Sequence, residues 1–155
     1  MNVTNYHLSR MATKYNSLDV FYKMEKSYQT VLQIIADGLN IKPEYILIPS
    51  RKREVVDGRQ LFSKWLKEAT TLTLKNIGSI VRVTQQDHST VKHSIATIND
   101  LIHTDKNIRF IWDAIKDIEI EKTLPTIYQK SKKIVTQYEE TIYPKTIAFG
   151  QQPNV

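Results

Sequence analysis

The sequence predicts an all-α protein: one compact helical domain with extra helices at its ends. Its 155 residues include only four glycines and five prolines, which leaves few turn residues for a many-stranded sheet. Apolar residues recur mainly at three- and four-residue spacing, as on the buried face of a helix, and short alternating stretches are rare. With 41% hydrophobic residues, the chain can bury an ordinary globular core.

The first predicted helix runs over residues 17–37, where apolar side chains follow helical spacing and Gly38 stands at the position of a C-terminal cap. A short second helix is expected to begin with Pro43 at its first position and to end at Pro49. The basic loop Ser50-Arg51-Lys52-Arg53 follows directly.

A third helix is predicted over residues 55–69, where the apolar face includes Trp65. The fourth covers residues 73–81, with Thr73 as its N-cap. A polar segment leads to Asp87, whose carboxylate suits the N-cap of a fifth helix. Two further helices are expected over residues 108–120 and 126–142, followed by a loose tail from Pro144.

The net charge of +6 is concentrated in the middle of the chain. Residues 42–93 contain 10 basic and 5 acidic side chains, whereas residues 1–41 contain 4 and 3 and residues 94–155 contain 8 and 8. A basic surface confined to one segment favours a polyanionic partner, although it also fits a solubilising surface.

The fourth helix, the polar turn and the fifth helix match a helix-turn-helix arrangement, in which the start of the second helix enters the major groove. There Asp87 can accept from a cytosine amino group, His88 can donate to guanine or phosphate, and the Thr90 methyl can touch a thymine methyl. Asp followed by Ser and Thr is also a common helix start, so a purely structural role stays open.

Several motifs, taken in order, resemble the C-terminal DNA-binding domain of bacterial chromosomal replication initiators of the DnaA family. The resemblance covers residues 30–103, about half of the chain. Residues 34–37 and 41–47 fit the lead-in helix and turn of that domain. The motifs that carry the resemblance are Ser50-Arg51-Lys52-Arg53, Arg59-Gln60, Lys67-Glu68, Thr73-Leu74-Lys75-Asn76-Ile77-Gly78 and Asp87-His88-Ser89-Thr90-Val91-Lys92-His93.

This resemblance implies a Trp-repressor-like helical domain that binds double-stranded DNA without enzymatic activity. By the family pattern, residues 87–90 read the major groove and Arg51 reaches into the minor groove. Arg53, Arg59, Lys67 and Lys75 hold phosphates, which positions the domain without specifying sequence. The predicted DNA-binding set is Arg51, Lys52, Arg53, Arg59, Lys67, Lys75, Gln86, Asp87, His88, Ser89, Thr90, Lys92 and His93.

The sequence departs from the family in the turn. The family usually has Gly-Gly-Arg before Asp-His and six residues between Ile-Gly and Asp-His, whereas residues 79–86 give eight here, without glycine and with Gln86 in place of arginine. Lys75 and Gly58 replace frequent prolines. Base preference is therefore expected to differ from that of the family.

The remaining organisation follows from the boundaries of the resemblance. Residues 1–29 are expected to form an N-terminal extension and the start of the first long helix. Residues 104–143 are expected to form additional helices, and residues 144–155 a flexible tail. The chain has no G-x-x-x-x-G-K-[ST] loop, so we expect neither ATP binding nor origin melting. Such a DNA-binding domain without its motor suits a phage, plasmid or other mobile element.

Metal, catalytic and membrane readings find little support in the sequence. Without cysteine there is no disulfide or thiolate site, and His88 and His93 lie about 140° apart around a helix, too far for an i, i+4 zinc pair. We therefore expect no cofactor and no enzyme. The N-terminus has no apolar signal core and no run is long enough to span a membrane, so a cytoplasmic location is expected.

The main alternative is a protein-interaction or structural module that keeps the fold without binding DNA. The predicted C-terminal helices contain aromatic residues that can pack on the core, form a homodimer or hold another protein. The basic loop together with Lys75 argues for DNA, because an interaction module needs no such alignment of charges. These aromatic residues are Phe110, Trp112, Tyr128, Tyr138 and Tyr143.

Overall fold

The computed structural model describes residues 3–120, with side chains described from Tyr6 onward. They lie in the unit Met1–Ile120, the first of two into which the chain divides. These residues contain seven α-helices, one 3-10 helix and no strand, which confirms the all-α prediction. The helices are α1 (Val3–Tyr15), α2 (Ser17–Tyr22), α3 (Lys26–Leu39), the 3-10 helix (Pro43–Leu47), α4 (Arg53–Ala69), α5 (Leu74–Ile80), α6 (His88–Thr104) and α7 (Lys106–Ile115).

Helix α4 is the centre of the main core, because it packs against α3, α5, α6 and the 3-10 helix. Its Phe62 and Trp65 rings stack with centroids 6.3 Å apart, and Tyr28 of α3 meets both rings edge-on at 6.0 and 5.9 Å. The Trp65 indole N–H donates to the carbonyl of Ile118 at 3.0 Å. The aromatic cluster thus joins α4, α3 and the segment after α7.

A second, smaller core cluster holds α1. Leu8 and Ala12 of α1 are buried against Tyr45, Ile48 and Val55. Extra helices were predicted at the ends of the chain, but no helix bounds were assigned within residues 1–16. Packing against the 3-10 helix region and α4 supplies the burial that local sequence does not reveal.

The single helix predicted over residues 17–37 is wrong, since α2 and α3 are separate helices. The Gln29 side-chain amide donates to the carbonyls of Tyr22 at 3.2 Å and Met24 at 2.8 Å. It thereby satisfies carbonyls that the end of α2 leaves without helical partners.

Gly38 does not cap α3 as predicted. The helix continues to Leu39 and is capped by Asn40 in the left-handed conformation, at φ 60°. Gly38 instead allows close helix packing, because a Cβ there would lie 2.5 Å from Cγ1 of Ile111 in α7. The Asn107 side chain of α7 also donates to the Gly38 carbonyl at 3.2 Å.

The other helix boundaries are close to the predicted ones. Pro43 begins the second element as expected, although that element is a 3-10 helix. Helix α7 begins at Lys106 and ends at Ile115, five residues before the predicted end at Ile120. The predicted helix over residues 126–142 and the tail from Pro144 lie outside the described residues.

Candidate nucleic-acid interface

Side-chain caps fix the starts of α5 and α6. The Thr73 hydroxyl accepts the backbone N–H of Asn76 at 3.2 Å, and the Asp87 carboxylate accepts the backbone N–H of Thr90 at 2.8 Å. Both caps were predicted. They place the first turn of α6 immediately after the connecting segment.

The connection between α5 and α6 is unusually tight. The backbone N–H of Gln86 donates to the Gly78 carbonyl at 3.0 Å, and a Cβ on Gly78 would lie 2.1 Å from the Gln86 carbonyl oxygen. Further along the turn, the Val83 N–H donates to the Leu47 carbonyl at 2.8 Å. The connecting segment, residues 81–87, is therefore anchored to both α5 and the 3-10 helix.

The first turn of α6 presents polar groups to solvent while its apolar face is buried. Val91 and Ile98 are completely buried and Ser94 is nearly so. The exposed side chains are Asp87, His88, Ser89, Thr90, Lys92 and His93. The helical spacing of the sequence predicts that His88, Ser89, Lys92 and His93 are exposed, and the structure confirms this.

Asp87 remains charged over a wide pH range. The backbone N–H of Thr90, which donates to its carboxylate, lowers the pKa of Asp87, and nearby His88 lowers it further. At neutral pH the first turn of α6 therefore carries an acceptor-only carboxylate.

Among the residues of the basic loop 50–53, Arg51 and Arg53 are exposed. Ser50 is buried, and its hydroxyl accepts the backbone N–H of Lys52 at 3.1 Å. This local bond gives the loop a defined backbone conformation. Arg51 extends from it into solvent.

Arg53 is exposed but already has two acidic neighbours. Its guanidinium lies 3.5 Å from the Asp57 carboxylate and 3.9 Å from that of Asp105. Burial raises the pKa of Asp57, and Arg53 partly offsets that increase. A phosphate bound at Arg53 would therefore share its cation with two carboxylates.

Arg59 does not occupy the position predicted for a phosphate contact. It is only 6% exposed, and its guanidinium donates from Nη2 to the carbonyls of Ile48 at 2.7 Å and Ser50 at 3.0 Å. Burial lowers the pKa of Arg59 to about 10, with a further contribution from Arg82. In this structure Arg59 stabilises the start of the basic loop through its hydrogen bonds to these two carbonyls.

Gln86 was also predicted to contact DNA, but it is not at the surface. Its side chain is 5% exposed, because the segment before α6 is drawn against Gly78 and the core. Lys67 and Lys75, by contrast, are exposed near the end of α4 and the start of α5. Of the predicted set, Arg59 and Gln86 are thus the two residues withdrawn from the surface.

Arg82 was missed by sequence reasoning. It lies in the lengthened turn, where its Nε donates to the Thr84 carbonyl at 2.7 Å and its Nη2 to the Gln85 carbonyl at 3.4 Å. It is close enough to Arg59 to lower that residue's pKa. Its signal in the sequence is its place as the only basic residue of the segment 79–86.

The remaining predictions concern aromatic residues, metal ligands and membrane helices. Trp112 is buried, with the Lys64 ammonium 4.7 Å from its ring centroid, whereas Phe110 is 72% exposed. The three tyrosines of the C-terminal set lie outside the described residues. Residues 3–120 contain no cluster of three metal-ligating side chains, and none of their helices is long and apolar enough to cross a membrane.

Comparison with known proteins identifies the segment that carries these features. Residues 28–98 match the family model of the bacterial DnaA protein helix-turn-helix. The chromosomal replication initiator protein DnaA of Flavobacterium psychrophilum is 33% identical over 99 residues, 63% of this chain and 20% of that protein. The DnaA protein of Aliarcobacter butzleri is 30% identical over 87 residues, 56% of this chain and 19% of that protein.

A more distant relative gives the same picture. The DnaA protein of Thermus thermophilus is 27% identical over 95 residues, covering 61% of this chain and 21% of that protein. The chain thus spans about a fifth of the length of these curated relatives. No solved structure is significantly similar to it.

Proposed function

We propose that this protein binds double-stranded DNA with a sequence preference, because residues 28–98 match the family model of the bacterial DnaA protein helix-turn-helix. The observation that best supports this function is the start of α6. A capped helix with completely buried Val91 and Ile98 presents a continuous polar first turn to solvent. This rigid presentation is what insertion into a major groove requires.

In the proposed complex, residues 87–90 of α6 read base edges. Asp87 accepts the Thr90 N–H through one oxygen, but a carboxylate has further lone-pair sites with which to accept from a cytosine amino group. His88 donates to a guanine or a phosphate, and Thr90 offers its methyl group to a thymine. Arg51 enters the adjacent minor groove from the basic loop.

Phosphate contacts position α6 in this proposal. Lys67 and Lys75 are exposed and suited to this role, as are Lys92 and His93 on α6. Arg82 takes the phosphate role that the sequence assigned to Arg59, because its guanidinium is fixed by two carbonyls at the edge of the turn. Arg59 then contributes indirectly by holding the basic loop.

The biological use follows as part of the same proposal. Relatives named chromosomal replication initiators suggest a replication-linked or regulatory binder, acting on DNA in the cytoplasm without catalysing a reaction. A phage or mobile-element origin and a homodimer on paired half-sites are consistent with it. A protein-interaction function has one supporting observation, the 72% exposed Phe110.

Selection from a random duplex library by the purified protein tests the proposed function directly. We expect enrichment of a defined motif, which the double variant Arg51→Ala/His88→Ala loses. The single variants His88→Ala and Thr90→Ala should erode motif preference, whereas Lys75→Ala should weaken binding to all duplexes about equally. Lys75 is preferable to Arg53 here, since removing Arg53 also leaves buried Asp57 without its cation.

Three results would contradict the proposal in different ways. Binding without enrichment would reduce the function to nonspecific phosphate contact. Absence of binding at both low and physiological salt would favour the protein-interaction module. Equal weakening of specific and random duplexes by His88→Ala would show that α6 does not read bases.

A further inference from the structure

We propose that α1 carries a second DNA-binding surface, the α1 basic face, formed by His7, Arg10 and Lys14. It binds phosphates of the same duplex beyond the base pairs that α6 and the basic loop reach. This inference rests on the proposed function and extends its binding site. Helix α1 lies outside residues 28–98, the segment that matches the family.

The packing of α1 places the helix beside residues that flank the basic loop. Leu8 and Ala12 are buried against Ile48 and Val55, which stand two residues before Ser50 and two residues after Arg53 in the chain. Since a helix with its side chains is about 10 Å wide, the exposed side of α1 lies about one helix diameter from that loop. This distance corresponds to roughly three base-pair steps of duplex DNA at about 3.4 Å each.

The spacing of the basic residues puts them on one side of α1. Positions 7, 10 and 14 follow helical spacing and lie away from the buried positions 8 and 12. His7, Arg10 and Lys14 are exposed, and together with Tyr6 and Met11 they line a surface groove of about 470 Å³. The groove is thus lined by cationic and aromatic groups.

The charges of α1 are not neutralised by neighbouring acids. Residues 3–15 include no Asp or Glu, and within the described part of the chain Arg10 and Lys14 form no ion pair. Arg10 instead lies 5.8 Å from the Tyr6 ring centroid, and Lys14 lies 5.3 Å from that of Tyr15. A cation–π contact orients the side chain while leaving its charge available to an anion.

Two exposed lysines elsewhere in the described residues are, by contrast, ion-paired. Lys23 pairs with Asp19 at 3.0 Å, and Lys116 pairs with Asp113 at 3.3 Å. The absence of acids on α1 therefore distinguishes Arg10 and Lys14 from these two ion-paired lysines. Because α1 packs against residues that flank the basic loop, the duplex proposed to occupy the loop is the polyanion that the α1 basic face would meet.

The test compares Arg10→Ala/Lys14→Ala with wild type on two duplexes that contain the selected motif. One duplex has about 10 base pairs of flanking DNA on each side, and the other is trimmed to the motif. Lys23→Ala/Lys116→Ala is the matched control, because it removes the same charge from ion-paired surface positions. Arg10→Lys/Lys14→Arg keeps the charge and serves as the rescue variant.

The dissociation constant is measured as a function of salt concentration for each protein on each of the two duplexes. Each lost phosphate contact lowers the slope of log affinity against log salt by about 0.9, so Arg10→Ala/Lys14→Ala should lower it by about 1.8 on the long duplex. The wild-type advantage of the long duplex over the trimmed one should disappear in this variant. The control and the rescue variant should keep both the wild-type salt slope and the affinity advantage of the long duplex.

The failures are distinguishable. If wild type binds the motif and Arg10→Ala/Lys14→Ala keeps the wild-type slope, the α1 basic face does not contact DNA and the proposed function stands. An equal loss of slope on the trimmed duplex would place the contacts within the motif, and this too overturns the inference. If wild type binds no duplex at all, the proposed function itself fails.

Discussion

Substitution of Gly78 by alanine should destabilise the fold and displace the DNA-reading helix. The new methyl group would lie 2.1 Å from the backbone carbonyl oxygen of Gln86 and 3.3 Å from Cγ2 of Val91. Because Cβ atoms in proteins keep at least 3.0 Å from such neighbours, α5 and the segment before α6 must separate by about 0.9 Å. The obstructing atom belongs to the backbone, so no side-chain rotation can relieve the contact.

The magnitude follows from two opposing effects. Overpacking of this kind costs typically about 1–3 kcal/mol, and an immovable backbone neighbour places Gly78→Ala near the upper value. Alanine recovers at most about 1 kcal/mol through its higher helix propensity. We therefore expect a net loss of about 2 kcal/mol in the free energy of unfolding.

Urea denaturation measures the loss, and the library-selected motif measures the displacement of α6. Gly58→Ala is the matched control, because its Cβ would meet only the side chains of Ile46 and Leu39, at 3.0 Å or more. That variant should lose less stability and keep its motif preference. If Gly78→Ala were as stable as wild type and bound the motif equally well, the tight α5–α6 connection would not be what positions α6.

Three further predictions concern charged groups. Arg59→Met should lower the free energy of unfolding by about 2–4 kcal/mol in urea denaturation, since two buried carbonyls lose a charged donor. An unchanged free energy of unfolding would contradict a stabilising role for the hydrogen bonds of Arg59. Burial raises the pKa of Asp57 above 3.8, so the contribution of Asp57 to wild-type stability falls as pH rises from 3.8 through that pKa. The stability of Asp57→Asn should therefore rise relative to that of wild type over this window. The reverse trend would show that Arg53 outweighs burial. The Thr90 N–H lowers the pKa of Asp87 below 3.8, so the stability deficit of Asp87→Ala at neutral pH should vanish as pH falls through that pKa; a pH-independent deficit would exclude the charged cap.

The sequence predicted what depends on neighbouring residues. Apolar periodicity located α4, α5 and α6 within two residues of their observed starts, and the caps Thr73 and Asp87 were identified because a side-chain oxygen and its N–H partner lie three positions apart. The same local logic predicted which residues of the first turn of α6 face solvent. Their roles in reading DNA stay predictions.

Features that depend on contacts between residues far apart in the sequence could be identified only from the tertiary structure. A guanidinium can donate to a phosphate or to a backbone carbonyl, and only the packing of α4 against the 3-10 helix region decided that Arg59 meets the carbonyls of Ile48 and Ser50. Gly38 looked like a cap because its neighbour Ile111, which lies against it, is 73 positions away. Helix α1 formed for the same reason: its few apolar residues become sufficient only when the second core cluster buries them. Local hydrogen bonds and apolar periodicity can be predicted from the sequence, whereas the burial of a residue depends on how the helices pack together.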